Sequence, residues 1–98
     1  MAQVKWTPQA IEDLEAICLF ISREAPHIGA VFVDSAFRVT DRLALPRSGR
    51  IVPKLEIDNI REIILGNYRL FYCIREDQVE ILTVDHGARL LDIGKINA

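Results

Sequence analysis

The spacing of apolar residues changes once along this chain, and that change limits the folds open to it. Between residues 8 and 45, apolar side chains recur every three or four positions, which is typical of amphipathic helices. From residue 59 to residue 85 the period is two, which is typical of strands with two different faces. Because each pattern occupies one continuous block, the sequence predicts an α+β domain.

Two helices are predicted within the first block, after a short strand at residues 3–6. Thr7 can cap a helix whose first turn accepts Pro8, and this helix is expected to end near residues 25–26. A second helix is expected from residues 27–30 to about residue 45. The short connection predicts an antiparallel helix hairpin. The acidic residues of the first helix lie away from its apolar stripe: Glu12, Asp13 and Glu15.

Three antiparallel strands are expected at about residues 59–65, 68–75 and 78–85. Gly66-Asn67 and Glu76-Asp77 provide the turns between them. The predicted fold is a two-layer β-α-α-β-β-β arrangement, with the helix hairpin packed on one face of an antiparallel sheet. At 98 residues the chain has room for a single domain, residues 1–98.

The two turns predict a register and therefore the two faces of the sheet. Arg69 is expected opposite Val84, with His86 as its diagonal neighbour, while Arg61 faces the helices. The other face is expected to be exposed as a partner surface, because it mixes apolar and charged side chains: Ile60, Glu62, Ile64, Arg69, Phe71, Cys73, Glu80, Leu82, Val84 and His86.

Composition excludes several classes of function. The net charge is −2, although residues 47–75 carry six Lys or Arg against three Asp or Glu. This balance argues mildly against a polyanionic partner.

Cys18 and Cys73 are expected to be reduced core thiols. Neither a metal-ligand spacing nor a phosphate loop is present, so no metal and no cofactor are expected. With no secretory signal and no apolar run long enough for a bilayer, a cytoplasmic protein without membrane contact is expected.

Several short motifs together resemble the RelE/ParE family of bacterial toxins, the toxic halves of protein toxin–antitoxin pairs. The resemblance covers nearly the whole chain. It rests on the motifs Trp6-Thr7-Pro8, Leu43-Ala44-Leu45-Pro46, Gly49-Arg50, Ile60-Arg61-Glu62-Ile63, Tyr68-Arg69-Leu70-Phe71-Tyr72 and Asp85-His86-Gly87-Ala88-Arg89.

The resemblance implies one set of roles if the chain is a ribonuclease-type member. Arg69 matches the arginine that stabilises phosphate in that branch, and Arg89 lies near a second cationic position. His86 is then a candidate acid or base, because imidazole titrates near neutral pH. Such members also carry a Tyr or His close to the C-terminus, whereas no aromatic residue follows Tyr72 here.

The resemblance therefore favours a toxin that inhibits DNA gyrase, as in the ParE branch. Two alternatives stay open: a ribosome-dependent mRNA endonuclease, and a nontoxic remnant that is only an interaction domain. A cognate antitoxin is the expected partner, and self-association through the same patch is a further expectation. The predicted partner-binding residues are Arg50, Lys54, Arg61, Arg69, Phe71 and Leu82.

Structural roles compete with these assignments at most positions. Arg69 can pair with Glu62 across the hairpin, and Arg61 can lie at the rim of the core with its charge at the surface. His86 can be a hydrogen-bonding residue at a strand end, and Arg50 can bond loop carbonyls. The sequence leaves these alternatives unresolved.

Overall fold

A computed structural model describes residues 3–44, 50–51, 60–75 and 78–87. The elements follow the predicted order, with one short strand added before the hairpin strands. They are β1 (Gln3–Trp6), α1 (Pro8–Ser22), α2 (Pro26–Asp41), a 3-10 turn (Arg42–Ala44), β2 (Arg50–Ile51), β3 (Arg61–Leu65), β4 (Tyr68–Arg75) and β5 (Gln78–His86).

Helix α1 begins as the sequence predicts. The Thr7 hydroxyl accepts a hydrogen bond from the Ala10 N–H at 3.2 Å and donates one to the Ile81 carbonyl at 2.8 Å. Pro8 occupies the first turn, where its missing N–H costs nothing. Thr7 therefore both caps the helix and ties its start to β5. Helix α2 begins at Pro26 and gives way to the 3-10 turn after Asp41, before the predicted end at residue 45.

The two described helices form the predicted antiparallel hairpin. The end of α1 meets the start of α2, where the Cys18 thiol donates to the Gly29 carbonyl at 3.7 Å. Nearer the other ends, Leu14 packs in one buried cluster with Ala36. A Cβ atom at Gly29 would lie 2.1 Å from the Ser22 Oγ, so the helices approach closely because this residue has no side chain.

The described strands form one sheet in the order β1-β5-β4-β3-β2. The pairs β5–β4, β4–β3 and β3–β2 are antiparallel, whereas β1 runs parallel to β5. The predicted fold class and the antiparallel pairing of the three long strands are confirmed, and β1 makes the sheet mixed at this one edge. Periodicity shows that residues 3–6 are extended but says nothing of which strand they join, or in which direction. The predicted turn at Glu76-Asp77 lies outside the described residues.

The register of β5 against β4 differs from the prediction along half of its length. Near the start of β5, Ile74 lies opposite Val79, as predicted. The pairing then shifts between Phe71 and Tyr72, so that one extra residue of β5 forms a β-bulge. Beyond it Arg69 lies opposite Asp85 instead of Val84. The period of two in the sequence does not predict a bulge of this kind, because the alternation of faces resumes one residue later.

The helix side of the sheet holds the main core. It contains Ala10, Leu43, Leu70, Tyr72, Val79, Ile81 and Val84. A further buried cluster lies on the opposite face and contains Ile60, Phe71, Cys73 and Leu82. Phe71 is 1% exposed and Leu82 is 7% exposed. The predicted exposure of Phe71, Leu82 and Val84 is therefore wrong: the bulge turns Val84 into the main core, and the other two pack with each other.

No helix within the described ranges combines the length and apolar character needed to cross a membrane.

Candidate functional site

A groove of about 520 Å³ lies where the β3–β4 turn meets the end of β5. Gly66 adopts φ = 61°, which allows the tight turn. The Gly87 N–H donates to the Asn67 carbonyl at 2.7 Å and so joins the end of β5 to that turn. Glu62, Ile64, Gly66, Asn67, Tyr68, Arg69, His86 and Gly87 line the groove. It thus brings together two of the predicted site residues, Arg69 and His86.

The Arg69 guanidinium is held by a carboxylate within this groove. Its Nε and Nη2 donate to Glu62 Oε2 at 2.8 Å and 2.5 Å. The side chains are 23% exposed for Arg69 and 3% exposed for Glu62. The guanidinium also lies over the Phe71 ring, 4.8 Å from its centroid. The ion-pair alternative for Arg69 is therefore present, and its charge is largely compensated inside the protein.

His86 reaches the groove by a different contact from the one predicted. It pairs with Tyr68, and the two rings meet edge to face with centroids 5.5 Å apart. Tyr68 in turn packs on Phe32 of α2 at 5.0 Å. The residue opposite Arg69 is Asp85, which is buried. Sequence reasoning did not assign a role to this carboxylate, because the unbulged register places it away from Arg69.

A buried carboxylate from α1 supports the other side of β5. Asp13 Oδ2 accepts hydrogen bonds from the Thr83 hydroxyl and, at 3.1 Å, from the Val84 N–H. Its Oδ1 accepts one from Gln9 Nε2 at 2.8 Å. Asp13 was predicted to lie away from the apolar stripe with Glu12 and Glu15, yet it is buried against β5. A helical period does not distinguish a solvated carboxylate from one that meets donors on a distant strand.

Arg61 lies apart from the groove. It faces Tyr72 across β3 and β4, on the helix side as predicted. Its Nε is buried and lacks a hydrogen-bond partner among the described residues. Burial raises the pKa of Tyr72 above its ordinary value, and the charge of Arg61 partly opposes that rise.

Among the remaining predicted cations, the structure describes the backbone of Arg50. Arg50 lies in β2, and its backbone pairs with Glu62 of β3. This pairing puts Arg50 at the edge of the same sheet. Lys54 and Arg89 lie outside the described residues. In the part of the chain that the structure describes, no three His, Cys, Asp or Glu side chains form a group that could hold a metal ion.

A second groove, with exposed apolar side chains around it, lies on the helix hairpin. It has a volume of about 440 Å³ and is lined by Ile11, Leu14, Glu15, Cys18, Leu19, Val33 and Phe37. Leu19 is 69% exposed. Exposed apolar patches of this kind commonly mark protein interfaces. The sequence did not predict this surface, because apolar residues that recur at a helical spacing are expected to face a core.

Comparison with known proteins identifies relatives of this architecture. The family model of the ParE toxin of the type II toxin–antitoxin system, parDE, matches residues 4–91. A structure of the RelBE2 toxin–antitoxin complex from Mycobacterium tuberculosis is 30% identical with a TM-score of 0.58, covering 87% of this chain and 96% of that one. No curated protein matches the chain.

Two structures with lower sequence identity share the fold. One is of the chromosomal ParDE system from P. aeruginosa, with a TM-score of 0.73 and 23% identity, covering 88% of this chain and 96% of that one. The other is of a copper-bound mutant toxin from Helicobacter pylori, with a TM-score of 0.60 and 15% identity, covering 93% of this chain and all of that one.

Proposed function

This chain belongs to the ParE toxin family of type II toxin–antitoxin systems, and we propose that it acts by binding and inhibiting DNA gyrase. One observation carries this choice of target. Arg69, the residue that a ribonuclease-type member would direct at phosphate, is bonded to the buried Glu62. A catalytic cation must be available for the negative charge that develops in the transition state. An arginine already compensated by its own fold suits binding better than phosphate chemistry.

The experiment that tests the target compares two activities of the purified protein. Supercoiling by gyrase should be inhibited, while mRNA on ribosomes should stay intact. Strong cleavage together with unaffected gyrase would reverse the assignment. If the groove contacts gyrase, Ile64→Glu should reduce inhibition, because Ile64 is exposed and lines the groove. Ile74→Glu is the matched control, since Ile74 is similarly exposed on the next strand and is not among the groove residues.

Ribosome-dependent mRNA cleavage is the second candidate, because Arg69 and His86 line the same groove. In that case His86→Ala should abolish cleavage with little loss of stability, since His86 is exposed at a strand end. Arg89 would be the remaining member of this catalytic set. A nontoxic interaction domain is the third candidate. Normal growth of host cells during induced expression would favour it over both toxin mechanisms.

A cognate antitoxin is the proposed protein partner, as the neighbours solved as toxin–antitoxin systems suggest. The cations Arg50, Lys54, Arg61 and Arg69 remain proposed contacts for it. Phe71 and Leu82 are buried, so they would contribute only if the sheet face opened. The exposed helix-hairpin groove around Leu19 offers apolar contact without such opening. Self-association of the free toxin through an apolar surface is a further proposal.

A further inference from the structure

The outer edge of β5 continues beyond its strand neighbour. Strand β1 pairs with β5 only as far as Trp6 opposite Ile81, whereas β5 continues to His86. The backbone groups beyond this point need other partners if they are buried. The Thr7 hydroxyl supplies the first, donating to the carbonyls of Ile81 and Leu82 at 2.8 Å and 3.1 Å.

Asp13 supplies the next partner. Its Oδ2 accepts from the Val84 N–H, and the same oxygen accepts from the hydroxyl of Thr83. Asp13 and Thr83 are both buried, which makes these charge-assisted bonds hard to replace with water. A helix carboxylate thus takes the place that a further residue of β1 would occupy.

The bond to Val84 is compatible with only one of the two registers. The Ile81 carbonyl points outward, because it accepts from Thr7 N at 3.1 Å. In a regular strand the backbone groups of alternate residues point the same way, so Val84 would direct its N–H inward at β4. The extra residue of the bulge reverses this direction and turns the Val84 N–H toward Asp13. Asp13 therefore bonds the bulged form and would lose this bond in the regular one.

We propose that Asp13 is a positioning residue for the groove, because it holds β5 in the bulged register. That register puts Asp85 opposite Arg69 and His86 against Tyr68. A regular register would place Val84 opposite Arg69. The importance of this arrangement for the target rests on the proposed function, whereas the effect of Asp13 on the register does not.

The test replaces Asp13 and follows the register in the full-length chain by NMR. In Asp13→Leu, the cross-strand contact of Val84 with Leu70 should weaken and a contact with Arg69 should appear, because the regular register places Val84 opposite Arg69. The ring contact between Tyr68 and His86 should weaken in the same variant. Asp13→Asn keeps one acceptor and should restore both readouts. Gln9→Ala is the control, because it removes the bond to the other Asp13 oxygen and leaves β5 untouched.

Two results would overturn the proposal. One is Asp13→Leu with an unchanged contact between Val84 and Leu70 and an intact Tyr68–His86 contact. The other is Asp13→Asn that behaves like Asp13→Leu, since the role of an acceptor would then be unsupported. If Asp13→Leu does not fold, Asp13→Ser takes its place, because its shorter side chain cannot reach Val84. Unchanged cross-strand contacts in that variant would be equally decisive against the proposal.

Growth arrest on induced expression separates this proposal from the proposed function. Asp13→Leu should lose growth arrest and Asp13→Asn should retain it. Full growth arrest from Asp13→Leu with a shifted register would show that the target does not use the groove. A wild-type chain that neither arrests growth nor inhibits gyrase would refute the proposed function, while the cross-strand contacts of Val84 would still decide the role of Asp13.

Discussion

At the residue scale, burial determines what each charge contributes. The Arg38–Asp34 pair on α2 has a distance of 3.0 Å, but its side chains are 76% and 61% exposed. Solvent weakens such a pair to a few tenths of a kcal/mol. Glu62 is almost fully enclosed, so its charge depends on Arg69. Similar bond lengths therefore predict very different costs of removal.

Arg69→Ala is expected to lower the free energy of unfolding by about 3 kcal/mol. This value is at the lower end of the range for breaking a buried ion pair, because Arg69 is partly exposed. Arg38→Ala is the matched control and should cost about 0.5 kcal/mol or less. Urea denaturation measures both. Because Glu62→Leu/Arg69→Met removes both charges, it should recover most of the loss. A cost for Arg69→Ala equal to that of Arg38→Ala would show that the pair is not structural.

Tyr72 is expected to make stability decline in alkaline solution. Burial raises its folded-state pKa above the ordinary value of 10.0, and Arg61 opposes this only in part. The unfolded chain therefore loses the phenolic proton first, and the contribution is complete below the unfolded pKa. It should fall as pH rises from about 10 through the folded-state value. Urea denaturation at stepped pH measures the slope, and Tyr72→Phe should flatten it. Equal slopes would contradict the assignment.

At the element scale, α1 connects the two layers. Its N-cap residue Thr7 binds β5, and Asp13 bonds Val84 beyond the bulge. Its last turn packs on α2 at Gly29. The outer side of the same helix carries the exposed apolar positions around Leu19. One helix therefore supports the groove on the sheet and presents the proposed antitoxin surface, so changes at its ends are expected to affect both.

Gly29→Ala is expected to destabilise the hairpin by about 1–2 kcal/mol, although alanine favours a helix more than glycine does. The new Cβ would lie 2.1 Å from the Ser22 Oγ and 3.0 Å from the Cys18 carbonyl. Ser22→Ala/Gly29→Ala should recover only part of the loss, because the backbone carbonyl cannot rotate away. Thermal unfolding measures both variants. A Gly29→Ala variant more stable than the wild type would show that the helices can separate without cost.

At the scale of the whole molecule, the two faces of the sheet are both largely closed. The helices cover one face, and Phe71 lies buried in the cluster on the other. The largest exposed apolar side chains therefore include those of the helix hairpin, such as Leu19. A partner that binds the folded chain should find its apolar contacts there and its charged contacts near the groove.

We expect the neighbouring open reading frame to encode a small acidic protein with a disordered C-terminal part that binds this chain. At about a hundredfold excess over its Kd, such a partner should stabilise the fold by about 2.7 kcal/mol. Leu19→Asp should weaken binding by about tenfold or more, because it places a charge in an apolar contact. Titration calorimetry measures the affinity, with Ile74→Asp as the control. Equal affinity for both variants would exclude the helix hairpin as the antitoxin surface.

Much of the fold was predictable because burial repeats locally. The helix hairpin, the cap at Thr7, the Gly66 turn and the three long strands were all predicted, since each depends on residues close together in the chain. The family followed from short motifs, and the match over residues 4–91 confirms it. Arg69 and His86 were also expected near each other, although through a register that the structure does not show.

The amino-acid sequence by itself determined the order of the elements, the layer each belongs to and the family of the protein. Only the tertiary structure decided the parallel position of β1, the bulge in β5, and thus the neighbours of Arg69. The physical reason is distance along the chain. Asp13 bonds Val84 across 71 positions, and such a contact leaves no trace in a local period of two or of 3.6.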